Sequence, residues 1–101
     1  MSAYEQERDG SDQGQDEAAS SLSATGELLA YLARGLVDEP QEVSVEQFEE
    51  DDGAIVLELC VGDEDYGKVI GRGGRTAQAL RTVVRAAATH EKRRVLIDIV
   101  D

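Results

Sequence analysis

The sequence predicts an α+β domain in the order α-β-β-α-α-β, with one three-stranded sheet and its helices packed on one face. Three observations predict it. The chain has 101 residues, enough for one small domain and not for two. The spacing of apolar residues changes along it, from helical, to alternating twice, to helical twice, to alternating once more. Each predicted strand carries one strongly apolar face and the helices need a surface to cover, which a two-layer arrangement supplies.

Residues 1–21 are rich in Ser, Gln, Asp, Glu and Gly and almost lack large apolar side chains. They bury too little to offset ordering entropy, so residues 1–24 are expected to be an acidic, disordered tail and residues 25–101 the domain. In "SATGELLAYLARGLVDEP", Leu28, Leu29, Leu32 and Leu36 recur at helical spacing beside Val37, which predicts a helix over 25–37. Ser23 or Thr25 suits its cap, Glu27 suits its positive end, and Pro40 prevents its continuation. "EVSVEQF", 42–48, alternates and predicts a strand, and "EEDDG" a turn. "AIVLELCV", 54–61, predicts the second strand of a hairpin, with Ile55, Leu57, Leu59 and Val61 on one face and Val56, Glu58 and Cys60 on the other. Asp63 and two further acids suit the start of a short helix over 63–70, which Gly71 ends. "RTAQALRTVVRAAATHE" predicts another helix, with Ala77, Leu80, Val84 and Ala87 as its apolar stripe and Gln78, Arg81 and Arg85 more exposed. "RVLIDIV", 94–100, turns Val95, Ile97 and Ile99 inward as the last strand.

The formal net charge is −12, but it is unevenly spread. Residues 1–65 hold nineteen acids against two bases, a net −17, while residues 66–101 hold eight bases against three acids, a net +5. Such asymmetry points to an acidic tail plus an anion-binding surface, and salt screening beyond about 8 Å makes the local balance matter more than the total. The tail's carboxylates either compete with phosphate for that surface or serve solubility alone. No apolar run is long enough to span a bilayer, no secretory signal opens the chain, and the single cysteine, Cys60, excludes an internal disulfide; together these point to the cytoplasm. His90 and Cys60 have no ligand spacing, so neither a metal nor a cofactor is expected. The chain lacks a P-loop and a dinucleotide fingerprint, and no nucleophile–base constellation suggests an enzyme.

The basic charge gathers in "YGKVIGRGGRTAQALR", which holds four glycines and Lys68, Arg72, Arg75 and Arg81, with no acid. A glycine turn between helices is by itself most often only a turn. Here bases concentrate around it in an otherwise acidic chain, and a helix start beyond it offers free N–H groups to phosphate oxygens. Gly71 and Gly74 let a ligand backbone come close.

"GKVIGRGGRTAQALR" resembles the core of the KH domain, whose signature is Ile-Gly-x-x-Gly between two helices. The wider run "LARGLVDEPQEV…VLELCVGDEDYGKVIGRGGRTAQALRTVVRAAA" is similar to the small bacterial KH proteins of the KhpA family, over about residues 25–101. The resemblance implies a single type II KH domain with a three-stranded mixed sheet, and a non-enzymatic, single-stranded RNA binder acting as an RNA regulator or chaperone. Carried over by position, Ile70 and Gly71 begin the signature, Arg72 and Gly73 fill the variable pair, and Gly74 closes it. Arg72 is the implied phosphate contact, with Lys68, Arg75 and, more distantly, Arg81 in support. Val69 and Ile70 suit either groove or core, and Leu80 the core. Where the family's loop often carries a longer polar or basic residue, this chain has Gly73, which leaves Arg72 as the one charge in the variable pair. Tyr66 is the sole aromatic near the loop, with packing as an equal role. Modest, backbone-led affinity follows. The resemblance further implies a homodimer or a heterodimer with a KhpB-type KH protein, and a link to bacterial cell elongation and division. A rival reading is a protein-interaction module whose basic loop docks an acidic partner, with Val56, Cys60, Leu96 and Val100 on the outer sheet face as a partner surface.

Overall fold

The computed structural model describes residues 22–101, and the disordered tail expected at the N-terminus lies outside them up to residue 21. The main elements are α1 (Ala24–Arg34), β1 (Ser44–Glu49), β2 (Ile55–Cys60), α2 (Tyr66–Ile70), α3 (Arg75–Ala87) and β3 (Val95–Val100). Short 3-10 turns cover Pro40–Glu42, Asp63–Asp65, Arg72–Gly74 and Ala88–Glu91. The order is the α-β-β-α-α-β read from the sequence.

The strands lie in the order β1-β2-β3. β1 and β2 pair antiparallel, with Phe48 opposite Val56, because a short turn joins them. β2 and β3 pair parallel, with Ile55 beside Val95, because the chain returns through α2 and α3. The sheet is therefore mixed. Ile55, Leu57, Leu59, Val95, Ile97 and Ile99 are buried on one face, and they meet Leu29, Ala33, Val69, Ala77, Leu80, Val84 and Ala88 from the helices. Full burial of each such Leu, Ile or Val side chain contributes about 1.5–3 kcal/mol, which makes this single interface the main source of stability.

The helices depart from the expected stripes in two places. α1 turns Thr25, Gly26, Leu29, Ala30 and Ala33 inward, while Leu28 and Leu32 are half-buried and Leu36 is exposed. Small residues let the helix lie close to the sheet, and the leucines flank it instead of facing it. Ser23 is the cap, its hydroxyl accepting from the Gly26 N–H at 3.2 Å. Thr25 lies inside the helix and donates its hydroxyl to Glu91, which ties the start of α1 to the 3-10 turn that follows α3. α1 also ends at Arg34, where Gly35 turns out of the helix, so Leu36 and Val37 follow it. The fourth buried position of the α3 stripe is Ala88, four residues after Val84 and just past the end of α3, and Ala87 is exposed.

The outer face of the sheet forms three cross-strand rows. Phe48, Val56 and Leu96 make an apolar row; Glu46, Glu58 and Asp98 an acidic one; Ser44, Cys60 and Val100 the third. Cys60 is half-buried, as its place in the alternation predicts.

Candidate nucleic-acid interface

α2 is only five residues long and stops at Gly71, whose N–H reaches the Gly67 carbonyl at 2.8 Å. Gly71 has φ +77° and ψ 169°, a conformation almost reserved for glycine. A Cβ there would sit 2.2 Å from Thr76 Oγ1 and 2.9 Å from the Thr76 nitrogen. Gly71 is thus pressed against the first turn of α3. Gly73 (φ +64°) and Gly74 (φ +78°) are also left-handed, but a Cβ on either would meet nothing within 4 Å. The loop is packed tightly at its entrance and open at its tip.

The tip leads directly into the N-terminus of α3. Gly74 occupies the cap position and supplies no side-chain acceptor, so the first N–H groups of a thirteen-residue helix have no side-chain cap. The Gly74 and Arg75 N–H groups turn back onto the Gly71 and Arg72 carbonyls, so the positive helix dipole and the N–H groups behind Arg75 are what this end presents. Arg72 and Arg75 are exposed beside this end, and neither forms an ion pair among the described residues.

Ile70 is half-buried and packs on the core beneath the loop, Val69 and Leu80 are core residues, and Tyr66 also packs on the core. Lys68 has a different environment from the loop arginines. Its ammonium lies 3.2 Å from Asp38 and 3.5 Å from Asp65, and hydrogen bonding and charge from Asp38 first, then Asp65, raise its pKa. Asp65 is 1% exposed. Its carboxylate accepts from the Asp38 N–H at 3.2 Å and the Glu39 N–H at 3.0 Å. Burial alone would push its pKa up, but these two N–H groups and Lys68 outweigh it and hold the pKa below the usual value. The acidic run 63–65 therefore does more than start a helix. It locks the segment after α1 to the base of α2.

Arg81 lies two turns along α3, and its Nε donates to the Ile97 carbonyl at 3.3 Å. β3 is an edge strand. The Ile55 N–H bonds the Arg94 carbonyl, so in a parallel ladder the backbone groups of Val95, Ile97 and Ile99 point away from β2 to the open edge. The structure therefore brings Gly71, Arg72, Gly73, Gly74 and Arg75 into one loop, places Arg81 at the strand edge beside it, and occupies Lys68 elsewhere. The β3 edge was not among the expected site features, because alternation identifies a strand's faces and not which of its sides is unpaired. Among the described residues no group of three or more His, Cys, Asp or Glu is placed to hold a metal ion, and no helix is long and apolar enough to cross a membrane.

A mixed three-stranded sheet backed by helices, with a glycine loop between the two helices of the parallel crossover, defines a type II KH domain. The model for "KhpA/KhpB, KH domain" matches residues 26–99, and the chain belongs to that family. It is 55% identical over 75 residues to the "RNA-binding protein KhpA" of Halalkalibacterium halodurans, a match covering 73% of this chain and 96% of that one. It is 49% identical over 75 residues to the protein of the same name in Caldanaerobacter subterraneus, covering 74% and 99%. This is not an enzyme family. Among solved structures, Aquifex aeolicus Era bound to GDP and AlF4⁻ aligns with a TM-score of 0.53 at 19% identity, over 74% of this chain and 29% of that one. Era in complex with MgGDPNP and nucleotides of 16S ribosomal RNA aligns with a TM-score of 0.54 at 18% identity, over 78% and 31%. These two likenesses concern the fold alone.

Proposed function

We propose that this domain binds single-stranded RNA by clamping its backbone on the Gly71–Gly74 loop. The observation that carries the reading is the open, left-handed tip at Gly73 and Gly74 above the start of α3, which no side chain caps, with Arg72 and Arg75 beside it in no ion pair among the described residues. A phosphodiester approaches the tip without meeting a side chain, its oxygens take the α3 N–H groups, and the arginines neutralise it. Bases then lie toward the open edge of β3, where Val95, Ile97 and Ile99 offer backbone donors and acceptors and Arg81 stands at the rim. Lys68 contributes indirectly, by fixing α2 through Asp38 and Asp65. With little aromatic surface for stacking, affinity is modest and strongly salt-dependent.

The test is fluorescence anisotropy of short single-stranded RNA at two salt concentrations, with the double variant Arg72→Asp, Gly73→Asp. Asp tolerates the left-handed conformation at position 73 better than most residues, and nothing stands within 4 Å of a Cβ there, so the variant keeps its fold. Binding is expected to disappear. Unchanged binding by a folded variant would mean the loop is not the clamp. A pull-down of protein that resists nuclease, with no RNA affinity, would favour docking of an acidic partner.

A second reading concerns association with another KH chain, either a second copy or a KhpB-type partner. It is favoured by the apolar strip between α1 and α3, where Leu36 and Val83 are 40% and 49% exposed around a shallow groove of about 200 Å³ floored by Leu32 and Leu80, and where Tyr31, 73% exposed, lines an adjoining hollow with Leu32 and Leu36. This strip suits self-association better than the outer sheet face, whose acidic row would meet itself across a symmetric contact. Val83→Asp is expected to lower the mass measured by light scattering after size exclusion; an unchanged mass would move the contact elsewhere. Paired in this way, the protein acts in the cytoplasm as an RNA regulator or chaperone linked to bacterial cell elongation and division, as the family resemblance implies.

A further inference from the structure

We propose that the RNA path continues beyond the four-nucleotide groove of a KH domain into an arginine-rimmed cavity at the far end of β3, which takes a further nucleotide of the same strand. The inference rests on the reading of the Gly71–Gly74 loop as the clamp. α3 leaves that loop and runs back along the edge of β3. Arg81 meets Ile97, and the next turn brings Arg85 beside Val95, two residues earlier in the strand, so helix and strand run antiparallel. A cavity of about 400 Å³ opens there, with Ala88, Val95 and Leu96 as its apolar wall and Arg85, Arg93 and Arg94 around it. Ten residues separate Arg75 from Arg85 on α3. At about 1.5 Å per residue the cavity lies roughly 15 Å from the loop, in line with the open strand edge.

The lining fits a nucleotide: an apolar wall for a base face, and guanidinium groups that pair with phosphate and stack on bases. Its volume lies in the range of small-ligand pockets, about 300–1,000 Å³. Arg93 is held by Glu49 at 3.5 Å and Arg94 by Asp52 at 2.7 Å, and both arginine side chains remain substantially exposed. A guanidinium has five N–H donors, so one carboxylate orients it and leaves donors for a second anion. Arg85 is exposed, with no ion pair among the described residues.

The experiment titrates the full chain and its Arg85→Gln variant with oligouridylates of four and eight nucleotides, at several salt concentrations, and with uridine monophosphate. A longer strand gains up to about fivefold merely from the registers in which it covers a four-nucleotide groove. The parent is expected to bind the eight-mer at least about twentyfold tighter than the four-mer, with a steeper salt dependence by roughly 0.7 for each added phosphate contact. Arg85→Gln is expected to remove the gain beyond fivefold and that added slope, while four-mer binding stays unchanged. An eight-mer gain of fivefold or less in the parent overturns the proposal even where the four-mer binds, and so does equal loss of both lengths in the variant. Arg85-dependent binding of the monophosphate with no added gain for the eight-mer overturns it in favour of a separate nucleotide site. If neither RNA binds, the clamp reading itself fails.

Discussion

Replacing Gly71 by alanine separates the packed end of the loop from its open end. Two effects add at position 71. The backbone at φ +77° and ψ 169° is strained for any residue with a Cβ, by about 1–3 kcal/mol. The new methyl also falls 2.2 Å from Thr76 Oγ1 and 2.9 Å from the Thr76 nitrogen. The hydroxyl is able to rotate away, but the backbone nitrogen belongs to the first turn of α3 and moves only if the helix moves. Overpacking of this kind costs about 1–3 kcal/mol more. The sum, about 2–6 kcal/mol, is a large share of the roughly 4–12 kcal/mol available to a domain of this size. At about 4–8 °C per kcal/mol, the melting temperature followed by far-ultraviolet circular dichroism is expected to fall by about 8 °C or more. Gly73→Ala is the control. Its φ of +64° is left-handed, but no atom lies within 4 Å of the added carbon, so only the backbone term of about 1–2 kcal/mol applies. Equal melting temperatures for the two variants would refute the argument that Gly71 serves packing while Gly73 serves access.

Asp65→Asn is expected to lower the urea midpoint at pH 7, because the carboxylate that accepts from Asp38 and Glu39 and pairs with Lys68 is buried. A folded-state pKa held below the usual value gives stability that is present above the unfolded pKa and lost as pH falls through the folded one, so the gap between parent and variant is expected to narrow as the pH is taken below the ordinary carboxylate range; a constant gap would contradict this. Glu58 lies directly between Glu46 and Asp98 on the outer sheet face, and like charges placed opposite destabilise by about 0.2–1 kcal/mol per pair. Glu58→Thr is therefore expected to raise the melting temperature by several degrees in low salt and by less in high salt, whereas a fall in low salt would show that the acid row does not oppose folding. Ser23→Ala removes the hydroxyl that accepts from the Gly26 N–H and is expected to cost about 1 kcal/mol in chemical denaturation, with no loss expected only if the cap is idle.

What the sequence made legible and what it hid divide by the range of the interaction. The strands were legible because Ile55, Leu57 and Leu59, and Val95, Ile97 and Ile99, repeat every second residue, a pattern set by the pleat and independent of distant partners. The glycine loop was legible because positive φ is a local demand. The orientation of α1 was not, since Leu28, Leu32 and Leu36 make as good a helical stripe as Gly26, Ala30 and Ala33. Only the close approach of the helix to the sheet selects the small residues, and that choice leaves leucines at the surface to form an apolar strip. Lys68 was grouped with the loop arginines by proximity in sequence, but Asp38, thirty positions earlier, holds its ammonium. Asp65 read only as one of three acids at a helix start because its donors, the N–H groups of Asp38 and Glu39, come from the other side of the hairpin. The same contrast orders the interface itself. Of the four bases near the loop, Arg72 and Arg75 carry no described ion pair, Lys68 is neutralised by fold contacts, and Arg81 donates to the edge of β3. On the proposed clamp reading, a phosphate at the tip would therefore meet the two guanidinium groups that form no ion pair among the described residues, on a scaffold that the other two bases help to hold.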